Sequence, residues 1–439
     1  MARNKGNDPD ETKQVQDFNV VMIDRISKLP DSVIIHILAL LPTVEVIRTS
    51  LISKRWRQLW NSVPALEFFD AGIEEQEQKF YNFVNKCLEH RMIGKRRLND
   101  LGINRFKLEM QGYGGSSVHL DRWLSFAVQQ HLEELDLCIQ FRMPSFYYCI
   151  PSLTVLKLDG IELADEVFHN LFMGCPSLEK LFLHYCFGFC ELKVSSLNLK
   201  SFELIGIDEA DSILVEAVNL RSFLLETHGG VCNLNLVSCK NLKNLTLEFF
   251  HHIPNVEDAI SELLILESLT VVDSEIHFIQ YQYLKVLVLE TTIIDAYNLD
   301  HKMEITVDTP NLVSFHYEDV NFTRKVLLNS PNLEEANINL AYFGVRKKID
   351  INWYVDMIDF LSYFDCAKVV SLYVYSEEYL MFPEKLRKFC RSPLPNVKHL
   401  KVETRCELKS ESLLREALLW LSPHTQTLSI TSEGNKARS

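Results

Sequence analysis

Eleven cysteines, fourteen histidines and 59 carboxylates are the residues of this 439-residue chain with chemistry to offer. Their spacing forms no working pattern. There is no Cys-x-x-Cys pair, no Gly-x-Ser-x-Gly elbow, no Walker-type phosphate loop and no His-Glu-x-x-His run. Cys186 and Cys190, with His184 nearby, come closest to a metal-ligand grouping, and free thiols in a core are the better account of them. Asp208, Glu209 and Asp211 read as solvated surface in an acidic chain, and His228 and the His251-His252 pair lack a nucleophile in matching context. The residues therefore predict no catalytic centre, no metal and no cofactor. They point to a binding scaffold.

Composition narrows the partners. Apolar residues make up 47% of the chain and charged residues 24%, the balance of a folded protein. The net charge of −14 disfavours nucleic acid as principal partner. No stretch of 18 apolar residues is present, so no membrane span is expected. The cysteine number is odd and the opening Met1–Asp17 has no apolar segment, which predicts reduced thiols and a nuclear and/or cytoplasmic location.

Charge divides the chain. Residues 1–23 carry −1 and are expected to be flexible. Residues 24–64 carry +3, from Arg25, Lys28, Arg48, Lys54, Arg55 and Arg57 against Asp24, Asp31 and Glu45, which leaves −16 for residues 65–439. The basic module reads as short helices. Leu29-Pro30-Asp31 is a start signal, with Asp31 able to serve free amides. Val33, Ile34, Ile37, Leu38, Leu40 and Leu41 give an apolar face too wide for a solvated helix, and Pro42 ends it. Thr43 is expected to cap a second helix from Val44 to about Leu51, and a third carries Trp56, Leu59 and Trp60. A unit this small has little core. It is either a helical cap on its neighbour or a docking module whose surplus apolar surface a partner covers.

Residues 65–102 read as a helical linker or cap, with a helix over 74–99 and a solvated turn at Lys95-Arg96-Arg97. From residue 103 one pattern recurs: apolar, two variable, apolar, one variable, apolar. Leu132/Leu135/Leu137, Leu178/Leu181/Leu183, Leu242/Leu245/Leu247 and Leu333/Ala336/Ile338 are clear copies. Looser ones are Ile103/Phe106/Leu108, Val369/Leu372/Val374, Val397/Leu400/Val402 and Thr425/Leu428/Ile430. Spacings of 18 to 36 residues match about 13–14 irregular leucine-rich repeats over 103–431. The last two apolar positions share one face of a short strand, and only stacked repeats can bury that face. The fold class is thus α/β: an all-helical start, then an irregular solenoid with a parallel concave sheet. Pro-Ser-Leu and Pro-Asn-Leu runs suit a bend into the strand, and returns such as 167–173, 259–264, 353–364 and 413–421 read as helical or irregular. Cys138, Cys186 and Asp159 stand where the common repeat has Asn. The clusters Tyr147-Tyr148 and Tyr373/Tyr375/Tyr379 read as packing in preference to a binding surface. A flexible tail is expected over 432–439.

The stretch from Asp24 to Trp60 resembles an F-box. The run Asp24-Arg25-Ile26-Ser27-Lys28-Leu29-Pro30-Asp31, the second Leu-Pro at Leu41-Pro42, and Ser53-Lys54-Arg55-Trp56-Arg57-Gln58-Leu59-Trp60 carry the likeness. With the repeats, it extends to the plant F-box/leucine-rich-repeat group. That resemblance implies a non-catalytic substrate-recognition subunit of a Skp–cullin–F-box ubiquitin ligase. The F-box would dock on a Skp-type adaptor, and through it on cullin and a RING protein, while the repeats hold a target. By motif position the adaptor-binding residues are Leu29, Pro30, Ile34, Ile37, Leu38, Leu41, Pro42, Val46, Ser50, Trp56 and Trp60. The family's adaptors are acidic, so a +3 module would favour docking. The alternative is a scaffold or inhibitor that binds the adaptor without cullin. Leu394–Val402 resembles the opening strand of the FBD domain that some relatives carry; the rest of that pattern is not matched and no FBD is assigned. No hormone pocket carries over.

Overall fold

The structure is a computed structural model. It describes residues 28–70, 77–95, 102–110, 117–142, 149–207, 210–229, 233–249, 256–273, 276–291, 303–319, 324–340 and 349–433. The chain forms two compact units, Met1–Val63 and Pro64–Ser439.

The first unit holds three short helices: α1 (Asp31–Leu38), α2 (Thr43–Thr49) and α3 (Lys54–Leu59), followed by a 3-10 turn at Trp60–Ser62. Prolines start two of them. Pro30 and Pro42 are the N-cap residues of α1 and α2, and their carbonyls accept the first amides of each helix, Val33 at 3.0 Å and Glu45 at 2.9 Å. Proline loses nothing there, because an amide at that position would have no helical acceptor. Two expectations are corrected. Thr43 is the buried first residue of α2 and not its cap. Asp31 caps no amide and is taken by Arg55 instead. Ser53 does cap α3, accepting from the Trp56 amide at 3.3 Å. The interior is Ile34, Leu38, Val46, Trp56, Leu59, Trp60 and Val63.

The second unit is built on one sheet of fifteen parallel strands whose order follows the chain, from Ala65–Asp70 to Thr427–Ser432. Its register confirms the repeat. Leu135 and Leu137 pair with Leu156 and Leu158, those with Leu181 and Leu183, and so on through Phe223/Leu225, Leu245/Leu247 and Phe315/Tyr317 to Leu428/Ile430. Two-residue alternation puts these side chains in the core and their neighbours outside, with Leu428 and Ile430 of the last strand half-buried.

Three readings change. Ala65–Asp70 is the first strand of the sheet, so residues 65–102 are not wholly a helical cap; Leu66 and Phe68 pair with Phe106 and Leu108. The copy at Val369 sits two residues late. Val370 and Leu372 occupy the two strand positions, opposite Ala336 and Ile338, and buried Ala367 takes the first. The returns are not all helical or irregular. Glu191–Ser195, Ser212–Glu216 and Leu234–Asn235 form one three-stranded parallel sheet, and Phe278–Gln280, Met303–Asp308 and Arg324–Asn329 form another. Helices supply returns elsewhere: α4 (Glu77–Lys95), α5 (Ser117–Val128), α6 (Asp165–Gly174), α7 (Val256–Ser261), α8 (Ile351–Ser362), α9 (Glu384–Phe389) and α10 (Glu411–Leu421).

Side chains also staple repeat to repeat. Asn198 donates to the Pro176 carbonyl, Asn219 to Leu197, Asn311 to Gln282 and Asn332 to Pro310, each at 2.8 Å. Buried thiols do the same: Cys186 donates to Leu158 at 3.5 Å and Cys239 to Val215 at 3.3 Å.

Candidate functional site

The eleven expected docking residues separate into two groups. Ile34, Leu38, Val46, Trp56 and Trp60 are interior, and a buried side chain offers no surface to a partner. Their work is to hold α1, α2 and α3 together. Pro30, Ile37 and Pro42 are exposed, and Leu29, Leu41 and Ser50 are half-buried. Helical spacing had merged two stripes. Ile34 and Leu38, one turn apart, face the core; Val33, Ile37 and Leu40 follow the same period about one residue round and face solvent.

Exposed apolar side chains continue along the chain beyond that outer stripe. Val33, Ile37, Leu40, Val44, Leu51 and Ile52 are all exposed, Leu40 at 70% and Leu51 at 80%. Of these, only Ile37 belongs to the sequence-based site; Val33 and Leu40 are read there as part of the apolar face without being assigned to docking, and Val44, Leu51 and Ile52 are not singled out. The signal for Val44 was one more step of the stripe, while Leu51 and Ile52 sit in the turn before α3, where periodicity says nothing. So many large apolar side chains exposed within twenty residues mark an interaction surface.

One polar device fixes the start of that surface. Arg55 on α3 donates from Nε to the Asp31 carboxylate at 2.8 Å and from Nη2 to the Leu29 carbonyl at 2.6 Å. It ties α3 to the segment Leu29-Pro30-Asp31 that opens α1. Arg55 is a positioning residue that the sequence reading treated only as charge.

The solvent face of the long sheet is the second surface. Its N-terminal strands compensate their charges. Arg105 pairs with Glu67 at 2.8 Å, Lys107 with Asp136 at 3.3 Å and Lys157 with Glu134 at 3.4 Å. Further on, Glu226 lies opposite Glu248, and Glu290 opposite Glu318. Burial pushes the Glu248 and Glu290 carboxyls up, and neighbouring carboxylates add to it. Imidazoles stand beside these carboxylates, His228 at 3.5 Å from Glu226 and His316 at 3.5 Å from Glu290.

The remaining candidates have structural surroundings. Cys186 is a core thiol whose pKa burial pushes up to about 12, and His184 faces Glu203 at 3.5 Å. Among the described residues no three His, Cys, Asp or Glu side chains are grouped to hold a metal ion, and no helix is long and apolar enough to cross a membrane. Tyr379 packs edge-on against Trp353, with ring centres 5.5 Å apart, while Tyr373 stands on the sheet's solvent face. Tyr147-Tyr148, Asp208-Glu209, His251-His252 and the segment 1–23 lie outside the described residues.

Comparison with known proteins agrees with both units. The F-box domain model matches residues 26–67, and the model described as the At1g61320/AtMIF1 LRR domain matches residues 138–318. The F-box/FBD/LRR-repeat protein At3g26920 of Arabidopsis thaliana is 34% identical over 209 residues, 41% of this chain and 44% of that protein. An F-box/LRR-repeat protein of the same organism, At3g18150, is 30% identical over 258 residues, 52% of this chain and 54% of that protein. A third, At3g59200, is 24% identical over 440 residues, 94% of this chain and 69% of that protein. The chain spans about half the length of the first two relatives. Proteins with this pair of domains typically act in Skp–cullin–F-box complexes and are generally non-catalytic, and the F-box typically binds a Skp-type adaptor. With a three-helix module matched as an F-box and fifteen stacked strands matched in part as leucine-rich repeats, the chain combines the same two domains as the plant F-box/LRR-repeat proteins it resembles.

Proposed function

We propose that this chain is the substrate-recognition subunit of a Skp–cullin–F-box ubiquitin ligase. The helical module docks on the Skp-type adaptor, which brings cullin and a RING protein. The repeat unit holds the target. The reading uses no cofactor or metal, and the ubiquitin-transfer chemistry is left to other subunits of the complex. It places the protein in the nucleus and/or cytoplasm.

The observation that carries it is the surplus apolar surface of a module too small to spare it. Seven side chains form the interior, while Val33, Ile37, Leu40, Val44, Leu51 and Ile52 face outward. Burying such side chains against a partner contributes about 1.5–3 kcal/mol each at full burial, before the cost of association. Leu29, Pro30 and Pro42 extend the same surface, with Arg55 holding its first turn.

The test is titration of the full-length chain with a purified Skp-type adaptor. The double variant Leu40→Ser with Leu51→Ser removes surface without touching the interior. Affinity is expected to fall at least about tenfold, the equivalent of 1.4 kcal/mol, with the circular dichroism unchanged. Equal affinity for both chains overturns the docking surface. Co-purification from plant cells then separates the ligase from the scaffold. Cullin arriving with the adaptor supports the ligase subunit, and adaptor without cullin supports the scaffold.

A further inference from the structure

Three cations stand in line where the chain enters three successive strands of the long sheet. Lys200, Arg221 and Lys243 each follow the buried leucine of their repeat, Leu199, Leu220 and Leu242. Backbone hydrogen bonds put them on neighbouring rungs: the Arg221 amide donates to the Lys200 carbonyl at 2.9 Å, and the Lys243 amide to Arg221 at 3.0 Å. Adjacent rungs are roughly 4.8 Å apart. A groove of about 630 Å³ opens beside them, lined also by Leu197, Asn241 and Ile265.

Charge in this row is unbalanced. Lys200 pairs with Glu179, and Lys243 and Lys285 share Glu267. The central Arg221 has no carboxylate partner among the described residues, so two carboxylates answer four cations in a unit that is otherwise strongly acidic. The row offers a second free donor. The Asn198 and Asn219 amides are spent on carbonyls of the preceding repeat, whereas the amide of Asn241 has no partner among the described residues. The groove also has an apolar side: Leu197 is 73% exposed and Ile265 half-buried.

We infer that this groove docks an acidic, leucine-bearing segment of a partner protein. The planar guanidinium of Arg221 can take one carboxylate through two parallel hydrogen bonds. Lys200 and Lys243, held only by exposed ion pairs of small net worth, can turn to further carboxylates at little cost. Leu197 and Ile265 then receive apolar side chains between the acids. A free phosphate would use the cations and leave this apolar side idle, which favours the peptide. The groove lies in the repeat unit, and the inference does not rest on adaptor or cullin binding.

The test uses the full-length chain and a fluorescein-labelled twelve-residue peptide of glutamates interspersed with leucines, read by fluorescence anisotropy. Saturable binding that weakens with added salt is expected. Arg221→Glu should weaken it at least tenfold, and Leu197→Ser several-fold, with thermal midpoints unchanged. A peptide with serine in place of leucine should bind several-fold more weakly. Unchanged binding by Arg221→Glu overturns the inference, as does no binding by the unmutated chain at 100 μM peptide. Displacement by millimolar inorganic phosphate together with equal binding of the serine peptide shows a small-anion site and overturns the peptide assignment.

Discussion

The two units treat apolar side chains in opposite ways. In the helical module seven form an interior and six large ones stand in solvent. In the repeat unit the strands of the long sheet turn the leucines and phenylalanines of the repeat pattern inward, and the next repeat covers them, as Phe223 covers Phe202 with ring centres 5.2 Å apart. A solenoid finishes its core with its own chain. Three short helices cannot, because their surface is too large for their volume. The apolar surplus of the first unit is thus a property of its size, and it leaves a surface that a partner can use.

The largest effect expected from this contrast is on stability. Leu245 lies mid-sheet, 1% exposed, between Phe223 and Leu269. Leu245→Ala should destabilise the repeat unit by about 2–5 kcal/mol, measured by urea denaturation. Ile37→Ala on the outer stripe should cost under about 0.5 kcal/mol. Comparable costs would mean that the outer stripe is interior after all and that the two units do not differ.

How much of this was legible depends on periodicity. A two-residue alternation repeated every twenty-odd residues has few rival readings, and the register of Leu135 through Ile338 followed from it. Leu66 and Phe68 carry the same pattern but stand apart from the next copy, beyond a long helix, and were missed. At Val369 the run Val370, Leu372, Val374 is inward throughout, so two frames fit and small Ala367 did not advertise the right one. The return strands show alternation too, at Leu192/Val194 and Ile213/Val215, but lie where repeats usually carry helices. The docking surface was half legible. A helical period shows that a residue is on an apolar stripe, and it does not show which of two stripes meets the core. Ile34 and Ile37 differ in that respect alone.

The asparagine staples sharpen the comparison at a smaller scale. Asn219 reaches from the turn of one repeat to the Leu197 carbonyl of the one before, at 2.8 Å. The helical module has no repeats to staple in this way and is tied instead by Arg55 to the Leu29 carbonyl. Asn219→Ala should cost the repeat unit about 0.5–1 kcal/mol, the low end for a hydrogen bond because the site is exposed. Asn219→Asp should not restore it, since a carboxylate has no proton to donate. A variant as stable as the parent in urea would reduce these asparagines to bend formers.

The smallest effect comes from charge on the solvent face. Glu248 lies directly opposite Glu226, and its carboxyl is pushed up first by burial and then by Glu226 and Glu290. A raised carboxyl pKa means that the folded state holds the proton more tightly than the unfolded chain does. The stabilisation belongs to the protonated form. It is full at low pH and lost as pH rises through the raised pKa, so ionised Glu248 opposes folding at neutrality. Glu248→Gln should therefore raise the melting temperature at pH 7, on the order of 1 °C for a like-charged cross-strand pair. The gap between variant and parent should close as pH falls through the carboxylate range, where the parent becomes neutral. A gap that persists unchanged at pH 4 would assign the gain to packing of the amide and not to relief of repulsion along the strands.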